Sequence, residues 1–206
     1  MLARFIGGIS AGVLIAIGGS VYLSCDNKYV GAVLFAVALL CICYKGYSLF
    51  TGKVGLMVEA HGKKEWSVLL LGLLGNAVAT LILGLAISYA LPDLGDKAET
   101  ICNAKLNQQI GQALIRSSFC GMLMYLAVTV YREKNSIAGI LFCVPVFILS
   151  GFEHSIANMF YFGVARIFTV EMALYILLII CGNAFGAVSL AFLEKLGKEK
   201  VKNAKG

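Results

Sequence analysis

Residues Ser150–Asn158, SGFEHSIAN, decide how this chain is read. They close an uncharged run from Asn135 to Phe152, set Glu153 beside His154, and lead into a second, mostly apolar run. A charge near the middle of a bilayer costs roughly 2.5–3.5 kcal/mol even on lenient insertion scales, so an acid and an imidazole placed there mark a pathway or a site. What they mark depends on the rest of the chain.

The rest reads as a membrane protein. Of 206 residues, 60% are hydrophobic and only 14% charged, and the mean hydropathy is +0.87. A soluble domain carries about a quarter charged residues. No Pro/Gly linker or long polar segment divides the chain, so one domain is expected over residues 1–206. Phe5–Cys25, Trp66–Pro92 and Met172–Leu193 are long enough to cross a bilayer as helices, for which about 20 apolar residues suffice. Tyr29–Tyr44, Ser117–Tyr131 and Asn135–Phe152 lie near the lower limit. Six crossings are predicted. The first run lacks a small-residue cleavage site and reads as a retained helix rather than a signal peptide.

The loops set the orientation. One side would carry Arg4, Lys45, Lys53, Lys63, Lys64, Arg132, Lys134 and the tail lysines 195, 198, 200, 202 and 205. The other carries Lys28, Lys97, Lys105, Arg116 and Arg166. This bias predicts both termini in the cytoplasm. The +6 net charge is thus a topology signal, with a lysine tail near anionic lipid, and no nucleic-acid partner is expected. The seven cysteines show no metal-ligand spacing and read as small buried apolar residues. Cys25 and Cys102 fall on the same outer side, which leaves a disulfide between them open.

The chain repeats itself faintly. Gly75-Asn76-Ala77 recurs as Gly182-Asn183-Ala184, GAVLF at Gly31–Phe35 resembles GILF at Gly139–Phe142, and Gly12 pairs with Gly121, at offsets of 107, 108 and 109. Three helices per half is an odd number, so the halves, about 1–92 and 104–195, would lie upside down to each other, a transporter and channel architecture. The second and fifth runs correspond, and both are interrupted: one by KGYSLFTGK at Lys45–Lys53, the other by SGFEHSIAN. Phe50 and Phe152 are 102 apart, so the register slips there and the loops correspond in position rather than letter for letter. Paired interruptions point to a binding site or pore, because irregular backbone at membrane depth must be covered by protein or line a cavity.

At these two stretches the chain closely resembles the formate/nitrite transporter family of bacterial pentameric anion channels. Gly151–Met159 is similar to the family's fifth-helix signature nearly letter for letter, and Leu49-Phe50-Thr51-Gly52 to its second-helix loop. Ala11-Gly12, Gly75-Asn76, Lys105 and Gly182-Asn183 also fit. The resemblance implies an all-α fold of six transmembrane helices, an aquaporin-like inverted 3+3 repeat with helices 2 and 5 broken, assembled as a homopentamer with a pore through each protomer. It implies an outer constriction of Phe35, Leu39 and Phe147 and an inner one of Leu49, Phe50 and Met124, with His154 and Thr51 between them. From the residues themselves, Lys105 on the outer side and Lys53 on the inner are candidate vestibule charges that focus anions, with ordinary interfacial lysines the alternative. Three departures stand out. Lys53 stands where the family often has Asn after Thr-Gly. Gly121 replaces an Asn common in the family's fourth helix, which would remove a polar group near His154. Only Met1–Arg4 precedes the first run, so gating by the family's long N-terminal helix is not expected.

The chemistry follows. A bare anion cannot readily cross two apolar rings, because losing its hydration is costly. Its conjugate acid can, and His is the side chain whose proton exchange lies nearest neutrality. His154 is therefore a proton relay or a hydrogen-bond donor to the anion, with the Thr51 hydroxyl facing it; the plainer alternative is that it satisfies broken-helix backbone. Glu153 is expected to cap the half-helix that follows, and Asn76, Asn158 and Asn183 to tie broken backbone together. The Gly8/Gly12 and Gly182/Gly186 pairs suit close helix contacts, including contacts between protomers. The partners expected are small monovalent anions (formate, nitrite or hydrosulfide), protons and lipid, in the bacterial cytoplasmic membrane. The alternative function is an aquaporin-like pore for water or small neutral solutes, although paired Asn-Pro-Ala motifs are missing. Two histidines in the chain do not make a poly-His metal centre, and no Ser–His–acid or phosphate-binding motif is evident. No enzyme activity, metal or cofactor is expected.

Overall fold

The computed structural model describes residues 1–203, with side chains through Lys200. Among the described residues the fold is helical and contains no strand. Five helices are long and apolar enough to cross a membrane: α1 (Leu2–Ser24), α2 (Lys28–Lys45), α4 (Lys63–Ala90), α6 (Ile110–Lys134) and most of α9 (Val170–Asn203). The remaining helices are α3 (Phe50–Lys53), α5 (Asp93–Leu106), α7 (Ala138–Leu149) and α8 (Ser155–Ala165). Large apolar side chains such as Leu74, Ile82, Phe185 and Phe192 are half or more exposed on the outer surface, which suits a lipid-facing wall.

Two close helix pairs frame the molecule. In the first, α1 lies on α4. A Cβ added at Gly8 would sit 2.5 Å from the Gly72 carbonyl, and one at Gly12 would sit 2.7 Å from the Ala79 methyl. In the second, α6 lies on α9: a Cβ at Gly121 would run into the Asn183 backbone, and one at Gly186 into the Ser118 carbonyl. The expected small-residue pairs are therefore used inside the chain, where only hydrogen fits between the backbones, and not for contacts between protomers. Gly121 also loses the meaning given to its departure. It sits on Asn183 as Gly12 sits on Asn76, and has no room for a polar side chain.

The interruptions have local causes. Asn27 caps α2 by accepting from the amides of Tyr29 and Val30. Gly46, at φ +66°, ends it, a conformation that costs glycine little. Tyr47–Leu49 then run without helix, and Ser48 donates its amide to the Gly7 carbonyl. α3 follows and tightens into a 3₁₀ helix over Val54–Val58. On the other side α7 ends near Gly151, at φ +68°, where the Phe152 amide reaches back to the Phe147 carbonyl. α8 starts at Ser155, and every residue from Ser155 to Val164 is buried, mainly against α4 and α5.

α5 was not anticipated as a helix. Its start carries ordinary signals, Pro92 followed by Asp93 and Asp96 in the first turn, hidden in what reads as a short polar loop. The seven cysteines are unpaired, so the open disulfide between Cys25 and Cys102 is not formed.

Candidate functional site

Each interruption is held by one asparagine. Asn76 on α4 is fully buried; its Nδ2 donates to the carbonyls of Gly8 (2.8 Å) and Ser48 (2.9 Å), and its Oδ1 accepts from the Phe50 amide (3.0 Å). Asn183 on α9 is equally buried. Its Nδ2 donates to the carbonyls of Ser117 and Glu153, both at 2.8 Å, and its Oδ1 accepts from the Ser155 amide at 2.9 Å. Each side chain thus spans the residue at the break, Leu49 or His154, and satisfies backbone groups that a broken helix leaves unpaired. The clamps fix the register within the breaks: the counterpart of His154 is Leu49, at an offset of 105.

His154 is 2% exposed and uses both ring nitrogens. Nδ1 accepts the Ala157 amide at 3.1 Å, so it carries no hydrogen. The ring hydrogen therefore sits on Nε2, which donates to Thr51 Oγ1 at 2.9 Å. Thr51, fully buried, has no acceptor for its own hydroxyl hydrogen among the described residues, which leaves one donor free for a solute. His154 is also the N-cap residue of α8. That corrects the expectation for Glu153, which does not cap the half-helix.

The Glu153 carboxylate, 2% exposed, turns instead to side chains. It accepts from Lys105 Nζ (2.5 Å), Gln108 Nε2 (2.7 Å) and Asn158 Nδ2 (2.9 Å). Asn158 accordingly holds the carboxylate and not the broken backbone. Lys105, expected as a free vestibule charge, is neutralised by a buried partner and 14% exposed at its side chain. Gln108, on the turn after α5, escaped sequence reading because nothing in its neighbours distinguishes a surface amide from a buried one.

The apolar residues divide differently from expectation. Phe35 meets Phe147 edge-on at 6.3 Å between ring centroids, and Phe147 stacks on the His154 ring at 5.4 Å. Leu39 instead lines, with Leu49, a cavity of about 480 Å³ that Lys53 also lines. Phe50 and Met124 are buried but do not line this cavity. Lys53, Arg132, Glu59 and Glu65 do, and Lys53 Nζ donates to Ser48 Oγ at 3.1 Å. From sequence alone Arg132 serves only as a topology signal. The geometry therefore offers a cavity lined by two leucines, two cations and two acids, a buried hydroxyl–imidazole pair, and a phenylalanine ring stacked on that imidazole and met edge-on by a second.

The sequence profile described as formate/nitrite transporter matches residues 1–195. The chain is 30% identical over 149 residues to formate-nitrite transporter 2 of Toxoplasma gondii, covering 65% of this chain and 32% of that protein. It is 30% identical over 145 residues to the nitrite transporter NirC of Salmonella typhimurium (64% of this chain, 54% of that protein). It is 26% identical over 180 residues to the formate channel FocB of Escherichia coli (76% and 64%). The match thus spans about a third to two thirds of the length of these relatives. A solved FNT family ion channel superposes with a TM-score of 0.84 at 22% identity, over 96% of this chain and 90% of that one. A pentameric formate channel with formate bound gives 0.75 at 21%, over 98% and 97%.

Proposed function

Because the chain belongs to the formate/nitrite transporter family, we propose that it carries small monovalent anions (formate, nitrite or hydrosulfide) through a pore in each protomer, coupled to protons. Its relatives are transporters and channels, and it is not an enzyme. The observation that carries the reading is the buried Thr51–His154 pair at 2.9 Å, with Phe147 stacked on the imidazole and Leu49, the residue clamped at the other break, lining the cavity. Apolar walls reject a hydrated ion. A free hydroxyl hydrogen backed by an imidazole N–H gives a single anion a place to shed its last waters.

In this reading α2 with α3, and α7 with α8, are the interrupted second and fifth of six crossings. Residues 1–92 and 104–195 are inverted halves, which the matched Asn76 and Asn183 clamps support. Both termini lie in the cytoplasm, the membrane is the cytoplasmic one, and Lys53 and Arg132 gather anions at the inner mouth. The protein is a homopentamer.

The test is uptake of formate, nitrite and hydrosulfide into proteoliposomes with and without an inward proton gradient. Saturable uptake of at least one anion, driven by the gradient, is the expected result. Osmotic water permeability without anion uptake would favour the aquaporin-like alternative and overturn this one.

A further inference from the structure

His154 as the relay of a proton-coupled carrier meets a difficulty of proton placement. In the structure its Nδ1 lone pair is taken by the Ala157 amide, and its one ring hydrogen is on Nε2. Giving that hydrogen away from this state would leave an imidazolate, whose formation is far too costly near neutral pH. The ring can pass a proton only if Nδ1 gains one. A hydrogen on Nδ1 would then point at the hydrogen of the Ala157 amide, so that bond must break first.

We propose that the hydrogen bond from the Ala157 amide to His154 Nδ1 is a latch. Closed, it makes Thr51 and His154 a neutral donor pair for a bare anion; opening the first turn of α8 is what permits proton transfer. The open step balances. Nδ1 binds a proton from water in the vestibule as the Ala157 N–H leaves it. The Nε2–H bond breaks as its hydrogen moves to Thr51 Oγ1, and Thr51 passes its own hydroxyl hydrogen to the anion. The neutral acid departs, the ring holds its hydrogen on Nδ1, and loss of that hydrogen with return of one to Nε2 lets the latch close. The inference rests on the transport reading of the same site.

The surroundings leave the latch as the ring's main local control. The ionisable groups on the elements around it include Glu153 beside it in the chain, Lys105 and Cys102 on α5, Arg116, Cys120 and Tyr125 on α6, Cys143 on α7, Tyr161 on α8, Tyr175 on α9 and Lys53 on α3. Glu153 and Lys105 hold each other, Lys53 reaches Ser48, and none of these groups hydrogen-bonds the imidazole. Ala157 is the third residue of α8, where the amide has no partner within the helix, so only the histidine satisfies it.

Two measurements test this. Nitrogen NMR of histidine-labelled protein in liposomes reads the ring directly. At neutral pH the parent is expected to show an unprotonated Nδ1 and a protonated Nε2, and on acidification the Ala157 amide signal is expected to move at the same pH as Nδ1. A protonated Nδ1 at neutral pH, or an amide signal that ignores ring protonation, overturns the latch. The second measurement is flux. Ala157→Pro deletes the amide hydrogen in the first helical turn, where no intrahelical hydrogen bond is lost with it. It should move the pH midpoint of anion flux upward by about one unit, the size expected for one hydrogen bond lost from the neutral form. Ala157→Gly keeps the amide and removes only the methyl, so its midpoint should fall with the parent's and not with that of Ala157→Pro. An unmoved midpoint in an assembled Ala157→Pro protein overturns the proposal, and if that variant does not assemble the NMR titration decides. A parent protein without anion flux would defeat the transport reading while leaving the NMR test intact.

Discussion

At the scale of single residues, His154 carries two duties that pull on the same ring, capping α8 and facing Thr51. His154→Asn keeps a hydrogen-bonding side chain but cannot exchange a proton. It is expected to flatten the pH dependence of anion uptake between about pH 5 and 8, the range that brackets an ordinary imidazole. A curve identical to the parent's would show that the ring is only a structural cap. Glu153 and Lys105 make a second test. Removing one partner of a buried pair strands the other charge at a cost of about 3–5 kcal/mol. Lys105→Met should therefore lower the apparent melting temperature of the detergent-solubilised protein sharply, and adding Glu153→Gln should recover most of the loss. If Lys105→Met leaves stability intact and only slows uptake at low salt, Lys105 is a steering charge after all. The sequence made Glu153 and His154 conspicuous because both are ionisable in an apolar run. Their division of labour was not legible, since it turns on Gln108 and the Ala157 amide, and a backbone amide leaves no mark in a sequence.

At the scale of elements, the broken runs could be read because Gly46 and Gly151 supply positive φ and because a polar stretch between apolar ones has few alternatives. Their register could not. Phe50 and Phe152 share a letter, but the clamps align Leu49 with His154, since hydrogen bonds answer to backbone position and not to residue type. The resemblance sets Leu39 beside Phe35, yet one turn of helix advances 5.4 Å, enough to pass from the aromatic pair to the cavity. The glycine contacts carry a prediction of their own. Gly121→Ala forces α6 off α9 and should lower stability by roughly 1–3 kcal/mol, as overpacking does. Gly111→Ala, on the same helix with open space around it, should be neutral or slightly stabilising. Thermal unfolding of the two variants side by side decides it; equal losses would show that α6 and α9 adjust freely.

At the scale of the whole molecule, the exposed apolar wall must be covered, by lipid or by further copies of the chain. Native mass spectrometry from detergent is expected to show five chains, and a stable monomer or tetramer would contradict the homopentamer. Composition made membrane residence plain from the start, because 14% charged residues cannot cover a water-facing surface of this size. The arrangement of copies is written in surface shape, which no single run of letters displays.

The complete enclosure of α8 bears on how such a chain is made. Its 11 residues, like the 12 of α7, fall short of the length that a bilayer holds on its own. α8 keeps no greasy face for lipid, because its neighbours cover all sides from Ser155 to Val164. Its main neighbours, α4 and α5, precede it in the chain. A ribosome working from the N-terminus delivers the walls of that slot before the segment that fills it. Synthesis order and burial order coincide, and a circular permutant that placed α8 ahead of α4 would emerge with its half-helix homeless in the membrane, exposed to quality-control proteases until its walls arrived.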